Sequence, residues 1–169
     1  MTTKAMSYVS GISDMPLIGK TIGDLFDETV AKFPNNDALI SRHQGLRYTY
    51  KELQAEVDRC AKALLHMGVE KGERVGIWAP NCAEWCITQF ATAKIGAILV
   101  NINPSYRTHE LEYALKQSGT STLILQGEFK VSHYVDMICE LAPELRDSVA
   151  SQFKSEKLPQ LKRVVCLDE

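Results

Sequence analysis

No stretch of this sequence stays apolar for long. Its longest uninterrupted aliphatic run covers residues 97–100, against the roughly 20 residues a membrane-spanning helix needs. Neither sign of charge dominates. Nineteen basic residues face 21 acidic ones, for a net charge of −2, and the signs alternate along the chain. That removes the electrostatic basis for binding nucleic acid or an anionic membrane surface. The first 20 residues lack the apolar core of a secretory signal and hold too little arginine for a transit sequence. These absences lead to the expectation of a soluble, cytoplasmic chain whose partner is a small molecule or another protein.

Several catalytic patterns are missing as well. There is no Gly-x-Ser-x-Gly, so hydrolase chemistry has no support. His43, His66, His109 and His133 are scattered and read as surface residues. Gly19-Lys20-Thr21 imitates the end of a phosphate-binding P-loop, but Asp14 occupies the position where that motif needs its first glycine. Thr21 therefore reads as a helix cap and Lys20 as a solvated cation. The strand expected at residues 75–79 runs into Ala-Pro-Asn-Cys without a glycine, which disfavours a dinucleotide cofactor. The cysteines, Cys60, Cys82, Cys86, Cys139 and Cys166, are odd in number and widely spaced, and read as reduced core thiols. Cys82 and Cys86 lie one helical turn apart, yet no further Cys or His pair completes a zinc site. No metal-ligating residue is assigned.

What is present is an ordinary globular composition, 45% apolar and 24% charged over 169 residues, enough for one domain with a real core. A first helix is expected after Thr21, with Ile22, Leu25, Phe26, Thr29, Val30 and Phe33 on its apolar face. Two short strands, 38–41 and 46–48, should flank a His-Gln-Gly turn. Thr49 and Glu52 then form a reciprocal capping box with Tyr48 and Leu53 as its hydrophobic staple. The helix it starts carries Leu53, Val57, Cys60, Leu64 and Leu65, and stops at Gly68. From Arg74 onward apolar runs alternate with helical patterns: strand 75–79, helix 81–95, strand 97–102, helix 108–117, strand 121–125, helix 130–141 and strand 164–167. Residues 143–159 read as a surface helix or linker with Leu145, Val149 and Phe153 as its apolar positions. Strands that read VGIWA, AILVNI and TLIL are apolar on both faces, as in a parallel sheet covered on both sides. The fold class is therefore α/β, a doubly wound and mainly parallel sheet. Trp78 and Trp85 belong in its core.

Two segments carry a resemblance to a known family. AKIGAILVNINPSYRTHELEYALKQSG (residues 93–119) and LRYTYKEL (residues 46–53) are similar, in order and spacing, to two sequence segments of the adenylate-forming (AMP-binding) enzymes. With the intervening VEKGERVGIWAPNCAEW, the resemblance runs from about Thr21 onward and is strongest to the fatty-acyl-CoA ligases. It divides the chain into an arm, 1–20, and an amino-terminal α/β subdomain, 21–169, whose missing remainder would follow as part of a larger enzyme. The resemblance implies a two-step reaction. A carboxylic acid and ATP give an acyl-adenylate and pyrophosphate, and coenzyme A then displaces AMP. It also implies ATP, Mg2+ and coenzyme A for the whole enzyme, none held tightly by this segment alone. The family's Ser/Thr/Gly-rich segment ending in Pro-Lys-Gly, which folds around ATP phosphates, is absent, and so is its later catalytic lysine. No catalytic residue is assigned in this chain.

The best candidate for ligand contact is the turn after the strand at 97–102, because such turns open on the ligand crevice of wound sheets. Asn103-Pro104 starts the turn and Thr108 suits an N-cap, so architecture alone accounts for much of it. In the coenzyme-A-forming relatives this region approaches the nucleotide end of coenzyme A, which makes Ser105, Tyr106 and Arg107 candidate contacts for its 3′-phosphate. An arginine fork matches phosphate oxygens. The alternative, resting on the missing motifs, is a self-contained α/β binding or interaction module without ligase activity. Acid specificity and oligomeric state are open at this level.

Overall fold

The computed structural model describes residues 11, 14–15, 17–146 and 153–167. Most of the expected arm, 1–20, and Val149 lie outside the described residues.

Helix α1 (Ile22–Lys32) starts where Thr21 Oγ1 accepts a hydrogen bond from the Asp24 amide at 3.1 Å. Its buried face is Gly23, Phe26 and Val30, while Ile22, Leu25 and Phe33 are exposed, which corrects the expected stripe. The cause is a close approach that local spacing does not reveal. A Cβ on Gly23 would stand 3.3 Å from the Lys94 backbone, so the helix turns its glycine edge inward, and Phe26 stacks on Phe90 with ring centroids 4.5 Å apart.

Strands β1 (Asp37–Ser41) and β2 (Leu46–Thr49) pair as an antiparallel hairpin. Helix α2 (Tyr50–His66) follows with its capping box in place: Glu52 N donates to Thr49 Oγ1 at 3.3 Å, and Thr49 N donates to Glu52 Oε2 at 2.8 Å. Its buried stripe is Leu53, Val57, Ala61 and Leu64. Leu65 is exposed and Cys60 half-buried, so the expected stripe is rotated by a fraction of a turn. The hairpin also serves the next helix, since Gln44 Oε1 accepts from the Ala83 amide at 2.8 Å and Gln44 Nε2 donates to Glu84 at 2.8 Å. A side chain 39 residues away thus satisfies an amide that the helix itself leaves unpaired.

Among the described residues the central sheet has the order β4-β3-β5-β8, with β3 (Arg74–Trp78), β4 (Ile98–Asn101), β5 (Thr122–Leu125) and β8 (Arg163–Cys166) all parallel. Helix α3 (Ala83–Ile95) connects β3 to β4, and α4 (Thr108–Ser118) carries the chain back over β3 to β5. On one face α1, α2 and α3 pack Phe26, Val57, Leu64 and Ala91 against Val75 and Ile124. On the other, Leu111 and Leu115 of α4 and Ile138 of α5 (Tyr134–Leu141) meet Trp78, Leu123 and Leu125. The reversal of direction after β4 is matched by the switch of face, as crossovers of one hand require. This is the expected doubly wound α/β sheet.

Two expected elements are corrected. The helix expected from residue 130 starts only at Tyr134. Before it, β6 (Glu128–Phe129) and β7 (Ser132–His133) make a small hairpin, turned at Lys130 with φ of +55°. The surface segment expected at 143–159 begins as a 3₁₀ helix, Pro143–Arg146, but beyond residue 152 it is packed rather than superficial. Phe153, Leu158 and Leu161 join the core of the α4/α5 face. Ser155 Oγ accepts from the Leu158 amide at 3.2 Å, and Lys157 pairs with Glu112 of α4 at 3.0 Å. The spacing 153, 158, 161 has neither helical nor strand period, so periodicity is blind to it.

Candidate functional site

The turn after β4 is fixed from within and from below. Asn103 Oδ1 accepts from the Ser105 amide at 2.9 Å, and Asn103 O accepts from the Tyr106 amide at 3.0 Å, the short-range bonding that makes Asn a turn starter. Beneath it two fully buried aromatic side chains meet, Trp78 at the end of β3 and Tyr134 at the start of α5, with ring centroids 4.1 Å apart. Trp78 Nε1 donates to Asn103 O at 3.1 Å, and the Tyr134 hydroxyl donates to Pro104 O at 2.7 Å. Successive carbonyls of one turn are thus held by two elements distant in sequence. A buried Trp N–H or Tyr O–H needs such a partner, and that requirement is the signal in the sequence that the core assignment of Trp78 leaves unused. Trp85, by contrast, is only half-buried.

Of the candidate contacts, Ser105 and Arg107 are exposed, and Tyr106 is half-buried against the core of the α4/α5 face. Arg107, not Thr108, is the N-cap of α4. Its amide donates to Glu110 Oε2 at 3.1 Å, while Thr108 Oγ1 reaches Glu140 of α5 at 3.2 Å. The Arg107 guanidinium makes no ion pair among the described residues, although its charge is felt at Glu110 and Tyr134. Burial raises the Tyr134 pKa, with Arg107 pulling it partly back, so the hydroxyl stays a donor at neutral pH. Hydrogen bonds from the amides of its own residue and of Arg107 hold the Glu110 carboxyl below its usual range. The amino end of α4 thus already holds a carboxylate of its own, Glu110, and Arg107 is the cation beside it. Tyr106 continues into an open, mainly apolar groove of about 420 Å3 that Tyr113 and Ala114 also line.

The turn stands one strand to the side of the topological switch point. The β4 strand is an edge strand, whereas the connections diverge to opposite faces between β3 and β5. A larger depression of about 670 Å3 lies at the opposite end of the sheet, lined in part by Lys71, Arg74, Lys116 and Lys162. It adjoins strand amino ends and helix carboxyl ends, and two of its cations, Lys116 and Lys162, are already paired with Glu112 and Glu73.

The histidines are all exposed. The cysteines are free thiols, but none is fully buried as expected of core thiols: Cys60, Cys82, Cys86 and Cys139 are half-buried, and Cys166 is exposed on β8 at the edge of the described sheet. Among the described residues no group of His, Cys, Asp or Glu is placed to hold a metal ion, and no helix is long and apolar enough to cross a membrane.

A doubly wound, parallel α/β sheet covered by helices on both faces defines the class of fold. Within that class the chain belongs to the AMP-binding enzyme family, whose model matches residues 26–168. It is 40% identical over 163 residues to the medium-chain acyl-CoA ligase ACSF2, mitochondrial, of Rattus norvegicus, a match covering 96% of this chain and 26% of that protein. It is 43% identical over 149 residues to the putative acyl-CoA synthetase YngI of Bacillus subtilis, covering 88% of this chain and 27% of that protein. The N-terminal domain of FACL13 from Mycobacterium tuberculosis superposes with a TM-score of 0.73 at 25% identity, covering 88% of this chain and 34% of that one. The chain spans about a quarter of the length of the curated relatives it matches.

Proposed function

We propose that this chain acts as the wound-sheet scaffold of an ATP-dependent acid–thiol ligase, which joins a fatty acid to coenzyme A through an acyl-adenylate. The observation that carries the reading is its 40% identity, over nearly its whole length, to a relative named as an acyl-CoA ligase. The phosphate loop, the catalytic lysine and the Mg2+ that adenylation calls on have no counterpart among the residues of this chain, so the segment alone is expected to be inactive. Its own contribution is one wall of the coenzyme A site. Arg107 and Ser105, at the amino end of α4, would meet the 3′-phosphate, and Tyr106 would border the nucleotide.

The test has two stages. Protein carrying this chain should release AMP and form acyl-CoA when given fatty acid, ATP, Mg2+ and coenzyme A; no AMP above background would sink the ligase reading. Arg107→Ala should then raise KM for coenzyme A about tenfold or more, the scale of one lost charged hydrogen bond. An unchanged KM removes the turn from the coenzyme A site. For location we propose the cytosol, with the free thiols as support for a reducing compartment; co-sedimentation with an organelle would overturn it.

A further inference from the structure

We propose that Trp78 and Tyr134 are positioning residues that hold the turn after β4 in its ligand-binding shape, so that the wall bearing Ser105–Arg107 is preformed rather than moulded by the ligand. The inference rests on reading that turn as a coenzyme A contact.

The turn has few other restraints. Pro104 has no amide to donate, Ser105 is exposed, and the amides of Ser105 and Tyr106 are bonded only within the turn, to Asn103. Among the described residues the hydrogen bonds that tie residues 103–105 to the body of the domain are the two to Asn103 O and Pro104 O, with Tyr106 packed on the core and Thr108 bonded to Glu140 just beyond them. The donors of those two bonds are rigid, because both rings are fully buried and in tilted contact with each other, centroids 4.1 Å apart, which locks their rotamers by packing. They also come from different elements. Trp78 closes the central strand β3, and Tyr134 opens α5 just after the β6–β7 hairpin, where its own amide donates to Gly127 O at 2.9 Å. Position is thus imposed on the turn by the strand beneath it and by the helix beside it. Preorganisation of this kind matters to a charged contact because a guanidinium fork binds phosphate well only over a narrow range of geometry.

The competing explanation is that two buried aromatics simply satisfy their polar atoms on the nearest carbonyls. The two accounts separate on conservative variants. Tyr134→Phe removes only the hydroxyl and keeps the ring against Trp78; Trp78→Phe removes the indole N–H and keeps an aromatic. Peptide-resolved hydrogen exchange on the protein as the cell makes it should show residues 103–107 exchanging about fivefold faster in Tyr134→Phe, the effect of losing one neutral hydrogen bond. The amides of β5 should be unchanged. Unaltered exchange in the turn, or an equal rise in β5, would overturn the proposal, since either means the pair supports the core and not the turn. Trp78→Phe must loosen the same residues, and the absence of that effect would count against it equally.

Kinetics supply the second arm. Tyr134→Phe should raise KM for coenzyme A about fivefold with kcat held at saturating coenzyme A, the mark of lost uniform binding. Faster exchange with KM unmoved, in a protein where Arg107→Ala does raise KM, would overturn the preformed wall. Were Arg107→Ala itself to leave KM unchanged, the coenzyme A reading would fall, and the exchange data would still decide whether Trp78 and Tyr134 position the turn.

Discussion

The ammonium of Lys94 stands 2.6 Å from Asp27 Oδ1, and it stands the same 2.6 Å from Asp58 Oδ1. One side chain of α3 thereby ties α1 and α2 to each other and to itself, on the face of the sheet opposite the candidate site. Lys94 is 15% exposed and its partners 46% and 43% exposed, so solvent screens the cluster from one side only. Lys94→Met keeps the stem packed beside Gly23 and leaves two carboxylates without their cation. We expect a loss of about 1 kcal/mol after screening. Burial alone would raise the Asp27 pKa, but hydrogen bonds from Lys94 and Gln54 outweigh it and hold the group below its reference of 3.8. A depressed carboxylate stabilises the fold above its unfolded pKa and loses that contribution as pH falls through the folded value. The difference between Lys94→Met and the parent should therefore be full at pH 6 and shrink by pH 3. Urea unfolding at both pH values measures it, and a constant difference would contradict the assignment.

A second charge closes the end of α2. Arg163, 17% exposed in its side chain, donates from Nε to Met67 O at 2.7 Å, from one terminal nitrogen to Gly68 O, and from the other to Glu73 Oε2 at 3.1 Å. Its planar fork thus takes up carbonyls that a helix end leaves unpaired, where a cation is also favoured by the dipole. Glu73, although partly desolvated, is kept below its usual pKa chiefly by the hydrogen bonds from Lys162 and the Glu70 amide and by the Arg163 charge. Arg163→Met should cost about 2–3 kcal/mol. Arg163→Lys should recover less than half of that, because an ammonium cannot span the same acceptors. Denaturant midpoints at constant slope are the measurement; full recovery by lysine would show that charge alone matters.

How much of this was legible in the sequence depended on the range of the interaction. The Thr49–Glu52 capping box, the cap at Thr21 and the apolar strands β3 and β5 are written within a few residues and read correctly. The Asn103 turn was equally readable, since Asn103 bonds its near neighbours. What failed depends on partners far along the chain. The inward face of α1 is decided by Lys94, and the burial of Phe153, Leu158 and Leu161 by the surface of α4 and α5; the tight turn at Lys130 is the local exception, a backbone angle that no residue type there demands. For the candidate site, Ser105–Arg107 could be nominated from a resemblance. The hold of Trp78 and Tyr134 upon it required knowing which carbonyls lie above two buried rings.

Glycine substitution separates space from backbone strain. Gly76 sits in the central strand β3, and a Cβ there would stand 3.0 Å from both Ile102 Cδ1 and Thr120 Cγ2. Its backbone is ordinary, so any loss in Gly76→Ala is steric, and overpacking of this kind costs about 1–3 kcal/mol. Gly45 is the reverse case, with φ of +68° and nothing within 4 Å of the place a Cβ would take. Gly45→Ala should cost about 1 kcal/mol from the left-handed backbone alone, and Gly45→Asn less, because asparagine tolerates that region. Thermal unfolding of the three variants tests the ordering; Gly45→Asn falling below Gly45→Ala would break it.

Thiol reactivity tests the junction between the β1–β2 hairpin and α3. Burial first, and the negative charge of Glu84 next to it, push the Cys82 thiol up to about 11 despite hydrogen bonds from the Trp85 and Glu84 amides. Burial alone would raise Glu84 as well, but its hydrogen bond from Gln44 helps to hold that carboxyl low. Burial also raises Cys60 and Cys86, whereas Cys166 is exposed. Since the thiolate is the nucleophile, a group with a pKa near 11 is about one part in a thousand ionised at pH 8. A thiol reagent at pH 8 should therefore label Cys166 first and Cys82 last by mass mapping. The Cys82 rate should climb about tenfold per pH unit up to pH 10, as long as the fold holds. Gln44→Ala provides the internal check. It frees the Ala83 amide and loosens the hairpin from α3, so it should cost about 1 kcal/mol and accelerate labelling of Cys82 while leaving Cys166 unchanged. Labelling of Cys82 as fast as Cys166 in the parent chain would mean that Gln44 does not hold this junction closed.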